Sequence, residues 1–366
     1  MRWKFRAVGI AVAAIAGSAS LLSAQTRSGE QENNIPYGTR SGEFLLLPVG
    51  ARATAMGSAY TALANDISAL YWNPAGIGHM ENRSAMVSYL DYVADTRHVW
   101  VGFATPFSGG ERAVGISVGT FGFSDQPEYT AEEPDGTGRT YSVNMSNIGL
   151  TLAQRFTDRF SFGVTAKLIN ESLGNASAST WGVDIGTSYH TTVSGKPIRG
   201  AFTITNLGGT LQHRGSALDL DIPEQDPNLP PGTKEGEFTS KAWDLPVAFR
   251  FGVAYDAVAT ASNRLTLAGE FAQPSGNDVS GSVGAEYALS TTGGFGVALR
   301  GGFNYEPDND LESSASSMNG ANGDGLSLGG GINFARGERA SVGVDYAWRD
   351  KGLLGNQHLF SLQFTF

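Results

Sequence analysis

From about residue 83 to Phe366 the chain is written in segments of roughly ten residues that alternate apolar with small or polar side chains, with turn residues between them. A period of two puts alternate residues on opposite faces of a strand. Phe360, Leu362, Phe364 and Phe366 share one face, and Ser361, Gln363 and Thr365 the other. In 339–349 the apolar row is Val342, Val344, Tyr346 and Trp348, against Ser341, Asp345 and Arg349. In 245–256 it is Val247, Phe249, Phe251, Val253 and Tyr255, against Arg250 and Asp256. No segment reaches the about 18 uninterrupted apolar residues of a helical membrane span. Strands with one apolar face and one mixed face are what a transmembrane β-barrel requires. A soluble β-sandwich alternates too, but its loops have no reason to sort by side.

Strands are expected near 83–93, 98–107, 112–123, 141–156, 160–173, 180–190, 198–207, 245–256, 264–273, 280–289, 294–305, 325–335, 339–349 and 358–366. That makes fourteen, an even number, as an antiparallel barrel with both ends on one side requires. The connections at 108–111, 157–159, 191–197, 257–263, 290–293 and 336–338 are short, and those at 124–140, 208–244 and 306–324 are long. Counted from the first strand, these short connections are even-numbered and the long ones odd-numbered, so all long loops fall on one side, which outer-membrane barrels turn outward. The charge follows. The loops at 124–140, 208–244 and 306–324 carry about −4, −4 and −5, the whole excess of a chain shorn of its first three cations. Such loops stay solvated beside outer-membrane lipid and lipopolysaccharide. Phe107, Phe156, Phe160, Phe295 and Phe334 flank the short turns, where an interfacial girdle belongs.

The formal charge of −10 argues against nucleic acid as a partner, whose phosphates need a basic surface. With Cys at 0, disulfides, thiolate-held metals and Cys nucleophiles are all excluded. Arg2, Lys4 and Arg6, the apolar run 7–16 and Leu22-Ser23-Ala24 read as a signal peptide over 1–24. Residues 25–43 read as a flexible periplasmic tail, 44–80 as a hatch and 83–366 as the barrel. In the hatch segment Met56, Leu63, Ile67 and Leu70 recur near helical spacing, while Gly50 and Gly57 limit it to short helical pieces. Asn73-Pro74 breaks it with a gate or a turn. Arg52 and Asp66 among Ala, Gly and Leu are expected to meet polar partners inside the barrel. So are Lys167, Asp184, Arg250, Glu270, Glu286, Arg300, Asp345 and Arg349, all opposite the apolar rows.

The run GARATAMGSAYTALANDISALYWNPAGI, with Gly50, Arg52, Met56, Gly57, Asp66, Tyr71, Trp72, Asn73, Pro74 and Gly76, resembles the N-terminal hatch motif of the PorV/PorQ family. That family lies within the FadL-like outer-membrane superfamily. Asn65 stands where the family usually has a second acid. The resemblance implies an all-β fold: a fourteen-stranded antiparallel transmembrane β-barrel with a small helical hatch inside. It also implies a place in the outer membrane of a diderm bacterium, and work in protein export or surface attachment. Its partners there are secreted cargo proteins or secretion components. The alternative is a FadL-like passive channel for hydrophobic small molecules. The terminal row Phe360, Leu362, Phe364 and Phe366 resembles the signal read by the barrel-assembly machinery.

Chemistry is not called for. Gly115-Ile116-Ser117-Val118-Gly119 matches G-x-S-x-G, but it lies inside an expected strand rather than at the strand–turn–helix elbow that exposes a nucleophile. His79, His98, His190, His213 and His358 show no metal-ligand spacing, and Asp308, Asp310 and Glu312 lack the rest of a calcium loop. No catalytic residue, cofactor or metal is expected. One irregularity stands out. Val114, Ile116 and Val118 give way to Phe121 and Phe123 of opposite parity, and Val143 and Met145 to Ile148, Leu150 and Leu152. A bulge near Gly119-Thr120 and a slip near Ser146-Asn147 would reconcile them. Such a pair of irregularities either adds twist as an ordinary bulge pair or forms a lateral opening around Gly115, Gly119, Thr120 and Gly122.

Overall fold

The structure, a computed structural model, describes residues 40–223, 233–276, 279–291, 293–305, 325–336 and 340–366. The expected signal peptide and most of the expected tail lie outside them, as do Asp308, Asp310 and Glu312. Seven strands come first: β1 (Ser84–Asp91), β2 (Arg97–Phe107), β3 (Arg112–Pro127), β4 (Thr140–Thr157), β5 (Phe160–Leu173), β6 (Ala176–Val193) and β7 (Lys196–Gly208). The next connection holds four short ones that the sequence did not announce: β8 (Thr210–Leu211), β9 (Asp219–Pro223), β10 (Thr233–Glu237) and β11 (Trp243–Asp244). Then follow β12 (Ala248–Ala259), β13 (Asn263–Pro274), β14 (Ser280–Ser290), β15 (Phe295–Tyr305), β16 (Leu326–Arg336), β17 (Ala340–Asp350) and β18 (Asn356–Thr365).

The strands β1 to β7 and β12 to β18 form one closed antiparallel barrel of fourteen, with β18 returning to pair with β1 from Ser84↔Thr365 to Asp91↔His358. Closure leaves no unpaired edge for lipid to meet. Each barrel strand lies within a few residues of its expected range.

The alternation sorts as lipid and lumen demand. Val283, Leu299, Leu328, Ile332 and Phe360 are exposed on the outer face. Lys167, Asp184, Arg250, Glu270, Glu286 and Arg349 are buried on the inner one. Opposite charges pair there. Lys167 Nζ lies 2.7 Å from Asp184 Oδ2, Arg300 Nε lies 2.6 Å from Glu286 Oε2, and Arg300 also bonds Asp345. Leu299 sits at mid-strand and is 65% exposed, so Leu299→Arg puts a cation into hydrocarbon. The expected cost is about 2–4 kcal/mol in reversible unfolding from bilayers. A cost below about 0.5 kcal/mol would place this face outside the lipid.

The parity change in the third and fourth strands has another cause than a bulge. β3 pairs without a break with β2 from Arg112↔Phe107 to Gly122↔Arg97, and with β4 from Arg112↔Gln154 to Phe123↔Val143. Hence Gly115, Gly119, Thr120 and Gly122 border no gap in the wall, and the expected lateral opening is absent there. The register shifts later, between Phe123 and Gln126. What inverts is the surroundings. β3 to β6 run 16, 18, 14 and 18 residues, while β1, β2 and β12 to β18 have 8 to 12, so one side of the wall rises above the rest. On the raised part the inner row is apolar, with Phe121, Met145, Ile169 and Ala178 packed inside. Its outer row carries Asn144, Ser146, Asn170 and Ser179. Below, the outer row is Ile148, Leu150 and Leu152 and the inner one Thr151 and Thr165, whose hydroxyls bond at 2.7 Å.

Candidate functional site: the hatch and its two vestibules

The lumen is filled by residues 44–80. Short pieces replace one long helix: 3₁₀ turns at Glu43–Leu46 and Pro74–His79 and single helical turns α1 (Ala51–Ala55) and α2 (Ala69–Trp72). Gly50 and Gly57, both at positive φ, bracket α1. Met56, Tyr60, Leu63, Ile67, Leu70 and Ile77 are wholly buried, so the hatch brings its own apolar centre into a polar lumen.

Wall glycines let it approach. A Cβ on Gly284 would meet the Met56 carbonyl at 2.5 Å, and one on Gly302 the Met56–Gly57 backbone. One on Gly252 would meet the Ala62 nitrogen at 3.0 Å, and on Gly329 the Ala55 Cβ at 2.6 Å. On Gly163 and Gly186 it would strike the Asn73–Ala75 segment, and on Gly115 the Leu70 side chain. These seven strand positions form a belt on which the hatch rests directly, with its backbone at Gly163, Gly252, Gly284 and Gly302 and with side chains at the other three. Gly57 meets the belt with its own bare Cα, since a Cβ there would lie 2.6 Å from the Phe303 nitrogen.

Wall polar groups hold what the glycines admit. Arg52 makes a two-point contact with Glu286, Nε to Oε2 and Nη2 to Oε1, both 2.8 Å. Its Nη1 reaches Tyr60 Oη and Asp66 Oδ2 at 3.1 Å each, and Asn65 Oδ1 at 3.4 Å. Burial pulls the Arg52 pKa down, but Glu286, Tyr60 and Asp66 more than offset it, and the guanidinium titrates above its ordinary range. Tyr60 donates to Asp66 at 2.5 Å, and burial raises its phenol pKa. Asp66 also accepts the Ser68 N–H at 2.9 Å. Glu270 Oε2 accepts the N–H groups of Tyr60 and Thr61 at 2.8 and 2.7 Å. Ser88 and Ser361 accept those of Gly50 and Ala51 at 3.0 and 2.8 Å.

The remaining motif residues have structural posts. Trp72 Nε1 donates to the Val49 carbonyl at 2.7 Å, Arg250 lies 5.4 Å over the Trp72 ring, and Tyr71 Oη donates to the Leu45 carbonyl at 3.1 Å. Asn73 accepts from Ala75 N and donates to the Thr61 and Thr187 carbonyls. Pro74 opens the following 3₁₀ turn, so Asn73-Pro74 is a cap and an anchor to β6. A Cβ at Gly76 would collide with the Ala64 carbonyl. Phe360, Leu362 and Phe364 lie on the outer face of β18, and Phe366 N donates to the Arg83 carbonyl at 2.9 Å.

Where the hatch leaves the lumen, the His79 ring stacks on His190 at 4.1 Å and its Nε2 lies 2.9 Å from Ser161 Oγ. The Ser161 hydroxyl donates to the Ala75 carbonyl at 3.0 Å and is not presented as a nucleophile. Ser117, of the G-x-S-x-G string, lies buried in mid-β3 with no helix after it. Burial, then His190 and Arg155, lower the His79 pKa from 6.5 to about 4. A depressed histidine pKa means the unfolded form binds more protons below pH 6.5. The docked state is therefore fully favoured above pH 6.5 and weakens as the pH falls towards 4. Protease protection of the hatch should decline over that window in the parent and much less in His79→Gln. Equal slopes would remove His79 from the effect.

The hatch divides the lumen. A cavity of about 270 Å³ at the short-turn end is lined by Arg52, Asp66, Arg264, Glu286, Arg300 and Asp345 among others. Another, of about 540 Å³ at the long-loop end, is lined by Phe44, Leu47, Trp72, Phe121, Arg250, Gln357 and their neighbours. No residue lines both. Arg40 to Glu43, expected in a tail on the short-turn side, lie instead at the long-loop end. There Gly42 N donates to Glu171 Oε1 at 2.7 Å, and Arg40 packs beside Gly276. Glu171, on the inward row of β5, was the wall carboxylate the sequence reading passed over, although its parity marks it. Among the described residues no group of three or more His, Asp or Glu is placed to hold a metal.

The family profile described as type IX secretion system protein PorV matches residues 28–274. No curated protein matches the sequence. Among solved structures, the CymD monoaromatic hydrocarbon channel is similar with a TM-score of 0.54 and 12% identity, over 88% of this chain and 98% of that one. The Ralstonia pickettii toluene transporter TbuX gives 0.53 and 12%, over 86% and 96%. The Pseudomonas putida toluene transporter TodX gives 0.50 and 11%, over 86% and 96%. At such identities the likeness is one of fold.

Proposed function

The chain belongs to the family of the type IX secretion system protein PorV, and from that premise we propose that it holds secreted cargo at the outer surface of the membrane and is not itself the conduit. As a family member it is an outer-membrane component of that kind of secretion. One observation supports a holding role above all. The hatch rests backbone-to-wall on the glycine belt, and the cavities on its two sides share no lining residue. Such an arrangement favours a role that uses the surfaces of the barrel over one that uses a pore. The long-loop end, with its raised wall and 540 Å³ vestibule, is the surface turned outward in this reading.

Deleting the gene in its own host should release cargo into the medium or strand it in the periplasm, leaving less of it on the cell surface. Undiminished surface cargo would reject the role. The second reading, a channel for hydrophobic small molecules, draws on the apolar inner wall at Phe121, Met145, Ile169 and Leu245 and on the shared fold with CymD and TodX. It requires toluene uptake by vesicles containing the purified protein to exceed that of empty vesicles.

A further inference from the structure

The segment Arg40–Leu47 differs from the rest of the hatch. Residues 50–80 are gripped by Glu286, Glu270, Ser88, Ser361 and the glycine belt. The preceding strap meets a different part of the wall. Gly42 N donates to Glu171, Tyr71 donates to the Leu45 carbonyl, and Phe44 and Leu45 enter an apolar cleft formed by Ile169, Ala178, Leu211 and Leu245. The 540 Å³ cavity lies along the strap's free side.

The cleft reads sequence. Gly42 sits at φ +80, and a Cβ there would lie 3.1 Å from Leu245 and 3.3 Å from Pro246. The occupant therefore needs glycine at this point, an N–H for the Glu171 carboxylate, and an aromatic–aliphatic pair two and three residues on. A second observation, independent of the strap, comes from another wall of the cavity. Gln357 is 1% exposed, and neither its amide nitrogen nor its amide oxygen has a hydrogen-bond partner among the described residues. One spare donor group and one spare acceptor match the C=O and N–H of a peptide unit, and a hydrocarbon can satisfy neither.

We infer that the long-loop vestibule is a binding site for an extended polypeptide segment with glycine two residues before an aromatic–aliphatic pair, and that Arg40–Leu47 occupies its apolar half in cis. A cargo segment of that pattern displaces the strap and lies across the cavity against Gln357. The inference rests on the cargo-holding reading. Its test uses purified barrel, whereas that reading is tested by surface cargo in cells, so either can fail alone.

A tethered occupant competes at an effective concentration of about millimolar, so a free peptide should bind the parent weakly. The probe is a fluorescent peptide of residues 40–48, RSGEFLLLP, titrated by anisotropy into detergent-solubilised full chain. A Phe44→Ala/Leu45→Ala variant, whose strap no longer fills the cleft, should bind it about tenfold tighter than the parent or better. Placing valine at the peptide's glycine should remove that gain. Glu171→Gln or Gln357→Leu in the strap variant should weaken binding severalfold. Heat-modifiable gel mobility verifies the folded barrel, and if the double variant does not fold, Leu45→Ala alone carries the comparison. Equal affinity of parent and variant overturns the inference, as does indifference to the glycine. Toluene uptake by the variant without peptide discrimination would make the cleft a hydrocarbon site and also overturns it.

Discussion

Glu286→Ala should destabilise the assembled barrel by about 3 kcal/mol, because it removes one partner from a buried charge network. Glu286 faces two arginines, Arg52 at 2.8 Å from the hatch and Arg300 at 2.6 Å from β15. Arg300 is 7% exposed and keeps Asp345, but it loses the 2.6 Å contact with Glu286 and leaves donors buried without that acceptor. Arg52 keeps Asp66, but it loses both short bonds that tie the hatch to the wall. The measurement is reversible urea unfolding in bilayers, combined with Arg52→Ala in a double-mutant cycle. A coupling energy below about 0.5 kcal/mol would mean that the two-point contact does not hold the hatch.

Gly302→Leu is the second large effect, and its readout is leakage. No Cβ fits at this position, because the Met56–Gly57 backbone lies in contact with the bare Cα. A leucine there must push the hatch off β15. Overpacking of this kind costs about 1–3 kcal/mol, which raises the undocked fraction by about five- to 150-fold. Planar-bilayer recordings should show frequent current steps for the variant and rare ones for the parent. Gly301→Leu, next in sequence but facing outward, controls for damage to the strand itself. Current as rare in Gly302→Leu as in Gly301→Leu would show that the belt does not seal.

The barrel was legible because lipid imposes one rule on every strand it touches. Phe360, Leu362 and Phe364 face the same solvent, so their period of two survives to be read. The reading failed where that solvent ends. Phe121 and Met145 keep the inward parity of Ser117 and Thr151 but meet Leu245 and the strap instead of a polar lumen. A change in which face is apolar looks in sequence like a shift of register, and only the pairing separates the two. The hatch was legible as a segment and as charges needing partners. Which wall residues answer them was not, since Arg52 and Glu286 are 234 residues apart and meet only through closure. The glycine belt was hidden for a related reason: glycines abound throughout the chain, and only the contact with the hatch distinguishes a belt position from the rest.

The hatch enters its barrel at the long-loop end near Gly42 and leaves it beside β1 at the short-turn end. It therefore runs the length of the lumen, with its backbone against the wall. Two of its N–H groups, from Gly50 and Ala51, bond Ser88 on β1 and Ser361 on β18, residues that pair directly across the joint where the sheet meets itself. The plug thus clasps the cylinder at its seam, with the start of its first helical turn bonded to both edges where they meet.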